Sequence, residues 1–216
     1  MNSSAELLNN RICMREPIPE IGLAANLLSE AVDAHLAGER KTADRLIREA
    51  DMPVLHEWVE SLWGKKSAYV MSRVVDKPLP HLAKSERHGS RMPGAALKRE
   101  LLARDGYRCR FCGIPVIRSE VRAKLRLSYE DALRWTAQST LGCHAAFQVM
   151  WAQYDHVVPH SRGGRTELEN LVITCAGCNF GRMEFTLDEV GLADPRERVP
   201  LPQEWDGLER LLGRLT

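Results

Sequence analysis

Apolar side chains recur at spacings of three and four residues through the first third of the chain. This spacing places them along one face of a helix. It first extends over residues 21–36 and ends before Gly38, a residue type that commonly follows a helix. It returns over residues 43–50 and again over residues 55–63. The pattern predicts three amphipathic helices, which we group as an N-terminal helical domain of residues 1–75.

The regular spacing is lost after residue 75. Prolines, glycines and Lys/Arg side chains are interspersed over residues 76–95, which predicts a basic linker. Helical character returns over residues 95–104 and is followed by a predicted turn at Asp105-Gly106-Tyr107. Residues 118–150 are predicted to form a mostly helical insertion, in which Ser128 and Asp131 have the residue types of a helix start.

Residues 96–192 form a second predicted domain, which that insertion interrupts. A short strand is predicted to carry Asp155 and His156, a glycine-rich turn follows, and an apolar strand returns before a helix begins. Residues 193–216 contain three prolines and then apolar residues at helical spacing, which predicts a C-terminal helical tail. Helical and strand regions that are separated along the chain predict the α+β class.

The composition narrows the class of protein. Apolar residues make up 44% of the chain and charged residues 27%, as in an ordinary globular protein. No apolar run approaches the roughly 20 residues that a membrane span needs, and residues 1–20 lack the apolar core of a signal peptide. We therefore expect a cytoplasmic protein without a membrane partner. Because thiols stay reduced there, the six cysteines argue against a disulfide framework.

Charge is segregated along the chain, although the formal net charge is only +1. Residues 65–126 hold 16 Lys/Arg against 5 Asp/Glu, whereas both flanking segments are acidic. A basic middle between acidic flanks is typical of a groove that binds a polyanion, and solvated helix faces are the alternative interpretation. If the groove interpretation holds, we expect Lys84, Arg87 and Arg91 to contact substrate phosphates.

Four of the six cysteines form two C-x-x-C pairs, which favours a metal site over disulfide bridges. Four thiolates suit Zn²⁺ best, and such a site is closed to water, so its role is structural. The predicted zinc ligands are Cys109, Cys112, Cys175 and Cys178.

Between these pairs the chain carries D-H-x-x-P-x-S-x-G-G from Asp155, then E-N-L from Glu169, then C-x-x-C-N ending at Asn179. This combination resembles the HNH endonuclease family, ββα-metal nucleases with a four-cysteine zinc site, over roughly residues 100–190. One departure is the 42 residues between Cys112 and Asp155, far more than the compact family core requires. The resemblance implies a zinc-stapled ββα-metal nuclease domain with a helical insertion.

The resemblance also implies a chemistry, the hydrolysis of phosphodiester bonds in nucleic acid, with DNA favoured over RNA. It assigns the general base to His156, a role that a neutral imidazole can fill near pH 7. Alternation along the strand would turn Asp155 away from His156 and toward a cation. Asn179 would supply a second oxygen ligand, and such ligands suit Mg²⁺ or Mn²⁺.

Three further residues receive roles from the same resemblance. Asn170 would brace the turn through hydrogen bonds to the backbone. Arg182 matches a basic position that contacts the substrate phosphate in such domains. His160 lies in the loop beside the motif and is a second candidate for a phosphate contact.

Two other hypotheses follow from the sequence. One is a zinc-stabilised nucleic-acid-binding module without catalytic activity, against which the presence of Asp155, His156 and Asn179 argues. The other keeps the nuclease but makes the chain the effector subunit of a phage-defence system. The acidic N-terminal helical domain motivates it, since that domain could bind a regulatory protein partner such as an ATPase.

Overall fold

A computed structural model describes residues 11–63, 67–136, 140–201 and 204–213. The N-terminal segment forms three helices, α1 (Pro19–Leu36), α2 (Arg40–Glu49) and α3 (Pro53–Glu60). A proline stands in the first turn of both α1 and α3, where its missing N–H costs no hydrogen bond. Gly38 follows α1 with a φ of 84°, the left-handed backbone that ends a helix.

The middle of the chain alternates extended segments with short helices. These are a 3₁₀ turn at Lys84–Glu86, α4 (Ala95–Asp105), α5 (Ser119–Arg126), a 3₁₀ turn at Thr140–Gly142 and α6 (Ala145–Val149). The helix start predicted at Ser128 and Asp131 is wrong, since both residues lie in turns. The chain turns there because α5 has already ended at Arg126, and Tyr129 is buried against the core.

The insertion leaves and re-enters the domain at adjacent points. Ile117 donates its backbone N–H to the Met150 carbonyl at 2.6 Å and accepts from the Ala152 N–H at 2.9 Å. Because its two ends are hydrogen-bonded to each other, the long connection after Cys112 does not displace the strand that follows.

The next segment is a strand–turn–strand–helix unit. Strands β1 (Ala152–His156) and β2 (Leu171–Cys175) pair antiparallel, with His156 opposite Leu171. Helices α7 (Ala176–Arg182) and α8 (Leu187–Val190) follow, then 3₁₀ turns at Pro195–Glu197 and Glu209–Leu212. Helices beside a small two-stranded sheet confirm the predicted α+β class.

The N-terminal helices pack directly on α7. A Cβ added to Gly177 would lie 2.8 Å from Leu62 Cδ1 and 2.9 Å from Trp58 Cζ3, and one added to Gly181 would lie 3.1 Å from the Leu62 carbonyl. The two glycines therefore allow the close approach of the end of α3 to α7. One continuous apolar core includes buried residues of both segments, while the predicted domain bounds at residues 75 and 95 stay predictions.

The C-terminal segment is joined to the rest of the chain by a buried ion pair. Arg118 donates to both carboxylate oxygens of Glu209, at 2.6 and 2.7 Å. The helical tail expected there consists of 3₁₀ turns within the residues that the structure describes. Over those same residues, no helix has the length and apolar character needed to cross a membrane.

Candidate nuclease site

The two C-x-x-C pairs meet at the base of the ββα unit. Cys109 and Cys112 lie in a tight turn after α4, in which the Cys109 N–H bonds the Ile114 carbonyl at 2.9 Å. Cys175 ends β2, and its sulfur accepts the N–H of Cys178 at 3.4 Å in the first turn of α7. The pairing of the strands thus brings cysteines that are far apart in sequence to one point.

The spacing of these thiols fits a tetrahedral metal ion. All four sulfur atoms lie within 4.8 Å of one another, and Cys112 Sγ is 3.7 Å from Cys175 Sγ. Four sulfurs at about 2.3 Å from a zinc ion would be separated by about 3.8 Å. The cluster could therefore hold a metal such as zinc, as the cysteine pairs predict.

The turn after β1 is held by Asn170. Its side-chain oxygen accepts the Val158 N–H at 2.9 Å, and its amide nitrogen donates to the carbonyls of Val158 and Arg165 at 3.1 and 2.9 Å. Gly164 is enclosed by the same turn, and a Cβ there would lie 1.8 Å from the Val158 oxygen. The second glycine of the motif is thus required, because no side chain fits at Gly164.

His156 is the last residue of β1 and lines a cleft of about 350 Å³. Its Nε2 lies 2.9 Å from the Thr166 hydroxyl, which is 2.7 Å from the Ser90 carbonyl oxygen. Burial, the neighbouring His160 and the charges of Arg91 and Arg182 together lower the pKa of His156 to about 4, and burial has the largest effect. The imidazole is therefore neutral at physiological pH.

Asp155 lines the same cleft as His156, although successive strand residues should point to opposite sides. The two side chains reach the cleft at the point where β1 ends. Asp155 forms a buried ion pair with Arg182, whose Nη2 lies 2.6 Å from Oδ1 and whose Nε lies 3.2 Å from Oδ2. Burial raises the pKa of the Asp155 carboxyl, and the Arg182 charge opposes that rise.

Arg182 has little surface left for a substrate. Its side chain is 1% exposed, and it also donates to the carbonyls of His156, Val157 and Phe185. These contacts occupy the guanidinium within the protein. Arg182 therefore has no free N–H group for the phosphate contact that the family resemblance implied.

Asn179 lies in the middle of α7 and lines the cleft together with Asp155. The Asn179 amide nitrogen is 3.4 Å from Gln153 Oε1. The Asn179 side-chain oxygen has no hydrogen-bond partner among the described residues. The Asp155 carboxylate also keeps lone pairs beyond the two that Arg182 uses. The cleft therefore presents two hard oxygen donors, and these fit a divalent cation.

His160 lies beside His156, and the centroids of the two rings are 5.4 Å apart. Its Nε2 is 3.0 Å from the His88 carbonyl, which belongs to the predicted basic linker. That linker also supplies Arg87 and Arg91 to the lining of the cleft. No local pattern in the sequence marks Thr166 or Ser90 as neighbours of His156, because their contacts depend on how the linker folds back.

The arrangement is a strand–turn–strand–helix unit with a four-cysteine cluster at its base. Residues 142–181 match the family model described as HNH endonuclease. The match covers β1, β2 and nearly all of α7, and includes Asp155, His156, Asn170 and Asn179. Neither the curated proteins nor the solved structures gave a match to the chain.

Proposed function

We propose that the chain is a divalent-metal-dependent endonuclease that hydrolyses phosphodiester bonds, with DNA favoured over RNA. One observation carries the proposal, namely that Asp155, His156 and Asn179 line a single cleft within the HNH match. A binding module without catalytic activity would not require a buried neutral histidine beside two oxygen donors.

His156 acts as the general base through Nδ1. The Thr166 hydroxyl has one proton and donates it to the Ser90 carbonyl, so it accepts from His156 Nε2–H. That tautomer leaves the lone pair on Nδ1, where it can take a proton from the attacking water. Thr166 and Ser90 therefore hold the base in its active tautomer.

Asp155 and Asn179 are the proposed oxygen ligands of the catalytic ion, Mg²⁺ or Mn²⁺. When bound, such an ion stabilises the charge that develops on the phosphate and on the leaving oxygen. Arg182 holds the Asp155 carboxylate and the His156 carbonyl, so its contacts support a positioning role in place of the expected phosphate contact. Asn170 braces the turn between them, and His160 remains a proposed phosphate contact.

The four cysteines are the proposed ligands of a structural zinc ion, which would join the turn after α4 to α7. The phage-defence role and the ATPase partner stay hypotheses. They rest on the acidic N-terminal helical domain as a surface for a partner, and within the chain α3 already packs on α7 through Trp58 and Leu62. This packing gives the segment a structural role within the nuclease itself.

The test is cleavage of labelled duplex DNA, single-stranded DNA and RNA by the full chain with Mg²⁺, Mn²⁺ or EDTA. Wild type should cut when a divalent ion is present. His156→Ala should lose on the order of 10²–10⁴ in rate, because it removes only the base. It should keep its fold and its zinc. Cleavage by His156→Ala within a few-fold of wild type would contradict the mechanism, and a wild type that binds but never cuts would favour the binding module.

A further inference from the structure

Residues 79–92, which we call the arm, run along one side of the cleft that His156 lines, and two of them line it. The arm is held to the turn after β1 by hydrogen bonds at both of its ends. The Leu82 N–H bonds the Ser161 carbonyl at 2.8 Å, and the Thr166 hydroxyl bonds the Ser90 carbonyl at 2.7 Å. The Arg162 guanidinium also donates to the Leu79 carbonyl. These contacts make the arm one wall of the cleft.

Two arginines of the arm line that cleft. Arg87 is half-buried, and its Nε donates to the Leu82 carbonyl at 3.1 Å, which orients the side chain without using its two terminal nitrogens. Arg91 is exposed, and its guanidinium has no hydrogen-bond or ion-pair partner among the described residues. Lys84 belongs to the same arm but lies outside the lining of the cleft.

The charges of the cleft single out these two arginines. Arg182 and Asp155 neutralise each other in their buried pair, and Glu184 adds an exposed carboxylate to the lining. The uncommitted positive charge among the described lining residues therefore comes from Arg87 and Arg91. A phosphodiester carries one negative charge, and a free guanidinium binds it through paired N–H groups.

We propose that Arg87 and Arg91 bind the substrate phosphates in the HNH cleft and take the position that the sequence assigns to Arg182. This inference rests on the proposed function and specifies how its substrate is held. A general electrostatic attraction of substrate to the basic segment would make Lys84 as important as the two arginines. The proposal instead assigns phosphate binding to Arg87 and Arg91 and not to Lys84. Phosphate recognition then depends on a segment outside residues 142–181, the part of the chain that matches the HNH family.

The experiment compares Arg87→Gln, Arg91→Gln and Lys84→Gln, which remove the same charge from the same arm. Far-UV circular dichroism and zinc content check that each variant folds. We expect Arg91→Gln to lower kcat on the order of 10²-fold, as the loss of one transition-state donor does. Lys84→Gln should stay within about two-fold of wild type, since Lys84 does not line the cleft. Arg91→Lys, which keeps the charge, should recover part of the loss.

The same substitutions in the His156→Ala background are titrated with a fluorescein-labelled oligonucleotide at several salt concentrations. The Arg87 and Arg91 variants should each reduce the slope of log K against log salt by roughly one unit, and Lys84→Gln should not. Equal effects of all three variants on kcat and on the slope would overturn the inference. Binding measured in this way tests it even if wild type cuts nothing, an outcome that would refute the proposed function alone.

Discussion

The buried pair of Arg182 and Asp155 allows a quantitative prediction. Removing one partner of a buried ion pair leaves the other charge without compensation, which costs about 3–5 kcal/mol. With both side chains almost fully buried and Arg182 donating to both carboxylate oxygens, Arg182→Met should lose that amount. This is a large share of the roughly 5–15 kcal/mol by which a domain is stable.

A double-mutant cycle separates the ion pair from the other contacts of Arg182. Asp155→Asn removes the charge that Arg182→Met would leave buried. The double variant should therefore lose about 2 kcal/mol less unfolding free energy than the two single variants lose together. Urea unfolding followed by circular dichroism, with zinc present throughout, measures all four proteins. Arg45→Met breaks an exposed pair with Glu49 and is the matched control, with an expected loss below about 0.5 kcal/mol.

The reasoning would be refuted if Arg182→Met cost no more than Arg45→Met. It would also be refuted if the two substitutions at the buried pair were additive, since the carboxylate would then not be the group that Arg182 stabilises. A large but additive loss would assign the effect to the carbonyls that Arg182 also bonds. Loss of cleavage by Arg182→Met under conditions where it remains folded would support its positioning role.

Two further predictions concern the zinc cluster and the turn. Cys175→Ser should release about one zinc ion per chain and unfold the nuclease segment, because metal binding and folding are coupled in such sites. Elemental analysis and circular dichroism check it, and a zinc-free wild type or a folded, active variant would contradict it. Gly164→Ala should lose at least about 3 kcal/mol in urea unfolding, as its Cβ would lie 1.8 Å from the Val158 oxygen. Gly94→Ala is its control, since nothing lies within 4 Å there, and equal losses in the two variants would show that the turn tolerates a side chain.

The sequence alone determined the features that depend on local pattern. Apolar spacing predicted α1, α2 and α3 within a few residues, because an amphipathic helix needs only its own residues and one apolar surface to pack against. The two C-x-x-C pairs and the Asp-His motif likewise carry their chemistry in residue type and spacing. The start at Ser128 failed because the same residue types also favour turns.

Tertiary structure alone decided what each group in the cleft contacts. Arg182 pairs with Asp155, 27 residues away, and His160 contacts the carbonyl of His88, 72 residues away. No local pattern encodes such contacts, because they depend on how the arm, the turn and α7 meet in space. The packing of α3 on Gly177 and Gly181 also depends on tertiary structure. The sequence shows two glycines there, but only the structure shows that they make room for Trp58 and Leu62. Sequence thus supplied the reactive groups, and packing decided which of them are free to meet a substrate.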